Sequence, residues 1–177
     1  INTFHGYLDE KATNPIKNGA DLLLASNVFA HADDLKSMAE SMKKLIKPDG
    51  KIIIEVQYLL NTIKDLTFDN IYHEHTNYWS LSTLNKFLKS LDLIIFKVER
   101  INTHGGSIRV YISQDQNISI DNSVNELLVE EEVFGLKKLT TYINFGKKIQ
   151  NLKKNVVNNL QKLKKKHKNI IGYGAPA

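Results

Sequence analysis

The chain has 177 residues, of which 42% are hydrophobic and 24% charged, and a formal net charge of +5; this is the balance of a soluble globular protein with one substantial core. It has no cysteine, which excludes disulfides and thiolate-bound metal within this chain and leads us to expect a reducing, cytoplasmic setting. No apolar run approaches the ~18 residues of a membrane span, and the opening INTFHGYLDE shows no basic-then-apolar leader pattern.

The first half reads as alternating strand and helix. ADLLLASNVF (20–29) is a continuous apolar run ending in small polar residues, the pattern of a buried parallel strand. DDLKSMAESMKKLI follows with Leu35, Met38, Met42, Leu45 and Ile46 at helical spacing, acids first and lysines last. KPDG (47–50) reads as a turn and KIIIEVQYL (51–59) as a second buried strand. Together they predict a βαβ unit and a parallel pair with a right-handed crossover.

Residues 60–80 are less regular and hold NIYHEHTNYWS (70–80). Ser80 is placed to cap a helix over LSTLNKFLKSLD. LIIFKVERI (93–101) and GSIRVYIS (106–113) read as strands joined antiparallel through NTHGG. The sheet is therefore expected to be mostly parallel with an antiparallel edge. Residues 123–168 carry a helical pattern, divided near Gly135, with a second break expected near Gly146. KNIIGYGAPA reads as a new strand running into a glycine turn.

Charge is distributed unevenly along this order. Residues 1–132 hold all 19 acids and 13 of the 24 bases, a net of −6, whereas residues 133–177 hold 11 lysines and no acid. A basic arm of this kind suits anionic partners, but the lysines lack the interleaved arginines and aromatics of a base-stacking surface. We therefore read them as a solvated helix face, with neither nucleic acid nor membrane as partner.

Ligands of open α/β sheets bind beyond the carboxyl ends of the strands. Ser26, Asn27 and His31 fall at the end of the first strand and Glu55 and Tyr58 at the end of the second, with Tyr72, His73, Glu74 and His75 soon after. These groups are expected to converge on one cleft. His-x-His spacing alone also leaves a metal site open, although no third ligand is evident nearby. HGGS (104–107) with Arg109 downstream reads either as a plain hairpin turn or as a backbone cradle beside a phosphate-gripping guanidinium.

ASNVFAH, PDGKIIIEV, FDNIYHEHTNYWSL, HGGSIRVY and IIGYGAPA occur in the order found in S-adenosylmethionine-dependent sugar C-methyltransferases, and the chain resembles that family from about Ala20 to Ala177. The resemblance implies the second half of a Rossmann-like methyltransferase domain over 1–120, a helical linker over 121–168, and the first strand of a second α/β domain over 169–177. A zinc module and the cofactor's glycine loop are expected upstream of residue 1, so the segment alone is expected to be inactive. The resemblance implies a nucleotide-activated keto-deoxysugar as substrate and carbon methylation through an enolate. It gives His75 the role of base, with Glu74 as its partner or proton relay, and puts Tyr72 and His31 near the keto oxygen. It assigns Ala25, Ser26 and Asn27 to the remaining cofactor edge, and His104, Gly105, Gly106, Ser107 and Arg109 to the sugar nucleotide. His73 is expected to face away, since alternate residues of an extended backbone point oppositely. An O- or N-methyltransferase and a non-catalytic basic helical module are the alternatives, and an exposed sheet edge invites self-association.

Overall fold

A computed structural model describes residues 3, 5, 6, 8, 19–166 and 169–174. The chain divides into two compact units, Ile1–Lys137 and Lys138–Ala177. In the first, β1 (Ala20–Ser26), α1 (Leu35–Leu45) and β2 (Ile46–Gln57) form the expected βαβ unit, with β1 and β2 parallel. Asp34 caps α1 by accepting the Ser37 N–H at 3.0 Å, while Ala39, Met42 and Leu45 turn inward. KPDG is not a free turn. It is taken into β2 as an irregularity, because Ala20 pairs with Ile46 whereas Leu22 pairs with Lys51. The extra residues are accommodated by bulging rather than by ending the strand.

β2 alternates as its sequence dictates: Ile52, Ile54 and Val56 are buried, whereas Lys51, Ile53, Glu55 and Gln57 on the other face are half-buried. The chain leaves β2 through Tyr58 directly into α2 (Leu59–Asp65), a helix absent from the sequence reading. Its seven residues are too few for a helical period to show, and burial of Leu60, Thr62 and Ile63 holds it in place. A 3-10 turn at Phe68–Asn70 and the irregular segment after it lead to α3 (Leu81–Lys89). Ser80 caps that helix reciprocally with Thr83, as expected.

β3 (Ile94–Ile101) and β4 (Ser107–Ser113) form the antiparallel hairpin, but β4 inserts between β2 and β3. The order is β1-β2-β4-β3 among the described residues. The α/β class and the antiparallel edge stand; the balance differs, with one parallel pairing and two antiparallel ones. Ile108, Val110 and Ile112 of β4 continue the buried face of β2, and Leu84 and Leu88 of α3 and Val124 and Leu127 of α4 (Asn122–Phe134) are buried as well. α4 ends at Gly135, whose φ of +84° suits glycine and little else.

The second unit is α5 (Leu139–Lys166), which runs unbroken through Gly146, where the sequence suggested a break. One glycine in a long helix costs only about 1 kcal/mol relative to alanine and does not by itself end it. Residues 169–174 form no strand, and the remainder of the expected glycine turn, 175–177, lies outside the described residues. No described helix is long and apolar enough to cross a membrane.

Candidate active site

The carboxyl ends of β1 and β2 open onto a pocket of about 170 Å³ lined by Asn27, Ala30, His31, Val56, Gln57, Asn70, Tyr72, His75 and His104. Three segments meet there. Asn27 follows β1 with φ +54°, and its N–H donates to the Glu55 carbonyl at 3.0 Å, tying the two strand ends together. A short 3-10 turn, Phe29–His31, buries Phe29 and Ala30 and leaves the His31 ring at the rim. The segment after Asn70 is strapped to that turn: the Thr76 hydroxyl donates to the Ala30 carbonyl, and the Asn77 side chain donates to the carbonyls of Ala30 and Ala32.

Hydrogen bonding fixes which nitrogen of each imidazole faces the pocket chemistry. His75 Nδ1 lies 2.8 Å from the Asn70 carbonyl, which only accepts, so Nδ1 carries the proton. Nε2 is then the lone-pair nitrogen in the neutral ring, and the Tyr72 hydroxyl donates to it at 3.3 Å. His31 Nδ1 likewise donates to a carbonyl, that of Glu74, at 2.8 Å. The His31 and His75 ring centroids are 4.8 Å apart and those of Tyr72 and His75 are 4.3 Å apart. The pocket thus presents a base with a fixed tautomer, a hydroxyl donor on that base and a second imidazole beside it.

The hydrogen bond that orients His75 does not come from the Glu74 carboxylate. That exposed carboxylate stands 3.9 Å from exposed His73, and the group that orients His75 is the Asn70 carbonyl. Only the Glu74 main chain enters the site, through His31. His73 is not among the residues lining the pocket, as the alternation suggested.

The glycine turn reaches the pocket through His104. His104, Gly105 and Gly106 have φ of +50°, +78° and +108°. A Cβ on Gly106 would come within 2.7 Å of the Asn61 side chain, so α2 packs directly on this turn. The Gly106 N–H donates to the Thr103 carbonyl at 2.9 Å, and the Ser107 hydroxyl donates to the same carbonyl at 3.0 Å. Both groups are engaged within the turn rather than offered to a ligand.

Arg109 is held elsewhere. Its Nε and Nη2 both reach Glu55 Oε1 at 2.6 Å, and Nη1 lies 3.8 Å from Glu99. Tyr111 completes this cross-strand network by donating to Glu99 at 2.8 Å. Hydrogen bonding to Glu55 raises the Arg109 guanidinium further above its ordinary range, and bonding to Lys97 and Tyr111 lowers the Glu99 carboxyl. Arg109 is therefore committed to carboxylates and does not line the pocket. Ala25 is buried in β1 and Ser26 is exposed at its end; of the three expected cofactor contacts, Asn27 lines the pocket.

Asn70 and Gln57 line the pocket without having been singled out for it. Asn70 acts through a main-chain carbonyl, which any residue supplies, so its side chain carries no signal. Among the described residues no group of three His, Asp or Glu side chains is placed to hold a metal ion.

Residues 1–97, more than half the chain, match the family described as "Methyltransferase domain". The chain belongs to this methyltransferase family. Residues 102–177 match a second family, "C-methyltransferase C-terminal domain". C-methyltransferase NovU of Streptomyces niveus is 31% identical over 158 residues, which cover 89% of this chain and 38% of NovU. The methyltransferase segment thus spans well under half the length of that relative. Among solved structures, methyltransferase CalO6 superposes with a TM-score of 0.46 at 11% identity, over 55% of this chain and 36% of that one. The mitomycin 7-O-methyltransferase MmcR gives 0.45 at 18% identity, over 61% and 32%.

Proposed function

We propose that the enzyme to which this segment contributes methylates a carbon next to the keto group of a nucleotide-activated deoxysugar, through an enolate generated by His75. The observation that carries this reading is the fixed tautomer of His75, which leaves its Nε2 lone pair at the pocket beside the Tyr72 hydroxyl. A C–H next to a ketone is a weak acid, so its removal needs an aligned base and a donor for the oxygen that gains charge. His75 Nε2 takes the proton, and the C–H electron pair passes through the new C=C bond onto the carbonyl oxygen. The Asn70 carbonyl, already bound to Nδ1–H, stabilises the resulting imidazolium. Tyr72, released from Nε2 by the entering substrate, donates to the enolate oxygen, and a protonated His31 would add an Nε2–H donor beside it. The carbon then carries the nucleophilic electron pair.

S-adenosylmethionine, when bound, supplies an electrophilic methyl group. Asn27 fits one edge of such a cofactor: it lines the pocket at a strand's carboxyl end, its backbone held in the left-handed region. Ser26, exposed beside it, offers a hydroxyl, and Ala25 supplies the strand floor. His104 and the turn through Gly106 form the wall on which we place the sugar nucleotide.

The test is solvent deuterium at the substrate carbon. In D₂O the intact enzyme is expected to wash deuterium into the position next to the ketone, and His75→Asn is expected to stop it. A methylated oxygen or nitrogen with no washing-in would instead identify a heteroatom methyltransferase and end this reading.

A further inference from the structure

Glu131 lies on α4, outside the pocket, yet the residue is only 3% exposed. A buried charge is costly and persists only where donors compensate it. Here there are three. Glu131 Oε1 accepts the Tyr58 hydroxyl at 2.9 Å and the Leu81 N–H at 2.5 Å, and Oε2 accepts the Ser82 N–H at 3.0 Å. With the Ser80–Thr83 capping box, the first turn of α3 is fully served. Burial and the Glu131 charge push the Tyr58 hydroxyl far above the usual phenol range, so it remains a donor.

Tyr58 directly follows Gln57 of the pocket lining, and Leu81 and Ser82 begin the helix that follows the His75 segment. The Tyr58 N–H donates to the Gly106 carbonyl at 3.1 Å, tying it to the glycine turn. Tyr58 forms a ladder bridge with Trp79, and the Leu59 N–H donates to the Trp79 carbonyl at 2.9 Å. Next to Trp79, the Tyr78 hydroxyl donates at 3.5 Å to the Asn70 carbonyl, the same oxygen that holds His75 Nδ1. Glu131 thus stands where the glycine turn, the start of α3 and the His75 segment are joined.

We propose that Glu131 is a positioning residue: through Tyr58 and the first turn of α3 it keeps the Asn70 carbonyl in place and so fixes the tautomer of His75. Its catalytic meaning rests on His75 as the base, but its geometry does not. It acts with Tyr58 as a pair and touches no substrate.

The experiment reads the imidazole nitrogens of His75 by ¹H–¹⁵N NMR in Glu131→Gln, Tyr58→Phe and Leu127→Ala forms of this chain. Glu131→Gln sets an amide N–H₂ against main-chain donors; Tyr58→Phe removes one hydrogen bond and keeps the ring. Leu127→Ala thins the same buried stripe of α4 without touching the node, and so controls for lost stability. The expected result is a single Nδ1–H tautomer in the parent and in Leu127→Ala, and loss of that signature to a mixture in Glu131→Gln and Tyr58→Phe. If Glu131→Gln does not fold, Tyr58→Phe decides. Retention of the single tautomer in folded Glu131→Gln or in Tyr58→Phe overturns the proposal; so does its loss in Leu127→Ala, which would make the effect one of stability alone. Absence of deuterium washing-in would sink the enolate reading while leaving the tautomer signal intact, so the two failures are distinguishable.

Discussion

At His75 one ring nitrogen is bound to a main-chain carbonyl and the other to a phenol hydroxyl, and each bond has a separable consequence. Tyr72→Phe removes the donor for the enolate oxygen and keeps the base, so washing-in is expected to slow by about 10²-fold rather than to stop. Measuring exchange and methyl transfer in the same samples checks this, since both must fall together if the enolate is shared. Gly106→Ala meets two obstacles, a φ of +108° and an Asn61 atom 2.7 Å from the new Cβ. It is expected to destabilise the first unit by about 2 kcal/mol or more, read as a lowered urea midpoint at unchanged slope. The motif around His75 was legible because its residue types are rare together. The partners were not, because Asn70 and Glu74 contribute carbonyls that sequence does not distinguish. Glu131 did leave a trace: it occupies an apolar-stripe position, seven residues after Val124 and four after Leu127, where a solvated acid has no place.

Among the elements, long periodic ones were legible and short or contact-dependent ones were not. α1, α3, α4, β2, β3 and β4 follow their apolar spacing, whereas β1, expected to be buried, buries Ala25 and leaves Leu22 and Leu24 exposed; α2 exists through the burial of three side chains and the β2 irregularity through pairing with β1. Asp121 illustrates a cap with a pH signature. It accepts the Ser123 N–H at 2.9 Å at the start of α4, and hydrogen bonding to Ser123 lowers its carboxyl below the ordinary 3.8. A depressed acid stabilises the fold above its unfolded pKa, and that contribution is lost as pH falls through the lower folded value. Asp121→Asn keeps a capping oxygen but not the titration. The drop in Tm between pH 6 and pH 3 is therefore expected to be smaller in Asp121→Asn than in the parent. Gly146→Ala fills open space in α5 and is expected to stabilise that helix by about 0.5–1 kcal/mol, visible as added helical ellipticity on heating.

For the whole molecule, the outer edge of β1 is unpaired among the described residues, with Leu22 52% and Leu24 65% exposed. We propose that this edge drives self-association of the isolated chain, since an unpaired apolar strand is a template for another. Sedimentation velocity is expected to show mass rising with concentration, and Leu24→Lys to abolish the rise; a concentration-independent monomer for the parent would refute it. Why so much of the fold was legible and so little of this edge is a matter of range. Periodicity reports which side of a strand is apolar, not whether anything covers it.

The continuity of α5 through Gly146 has a geometric outcome. Its 28 residues make a rod about 42 Å long. Removing one residue from the rod turns everything carboxyl-terminal to the cut by about 100° about the axis, and with it the direction in which residues 169–174 depart. Removing seven restores the phase to within about 20° and merely draws that end in by about 10 Å. Length changes of about seven or eleven residues along this rod are thus expected to be tolerated better than changes of one, through angle rather than reach.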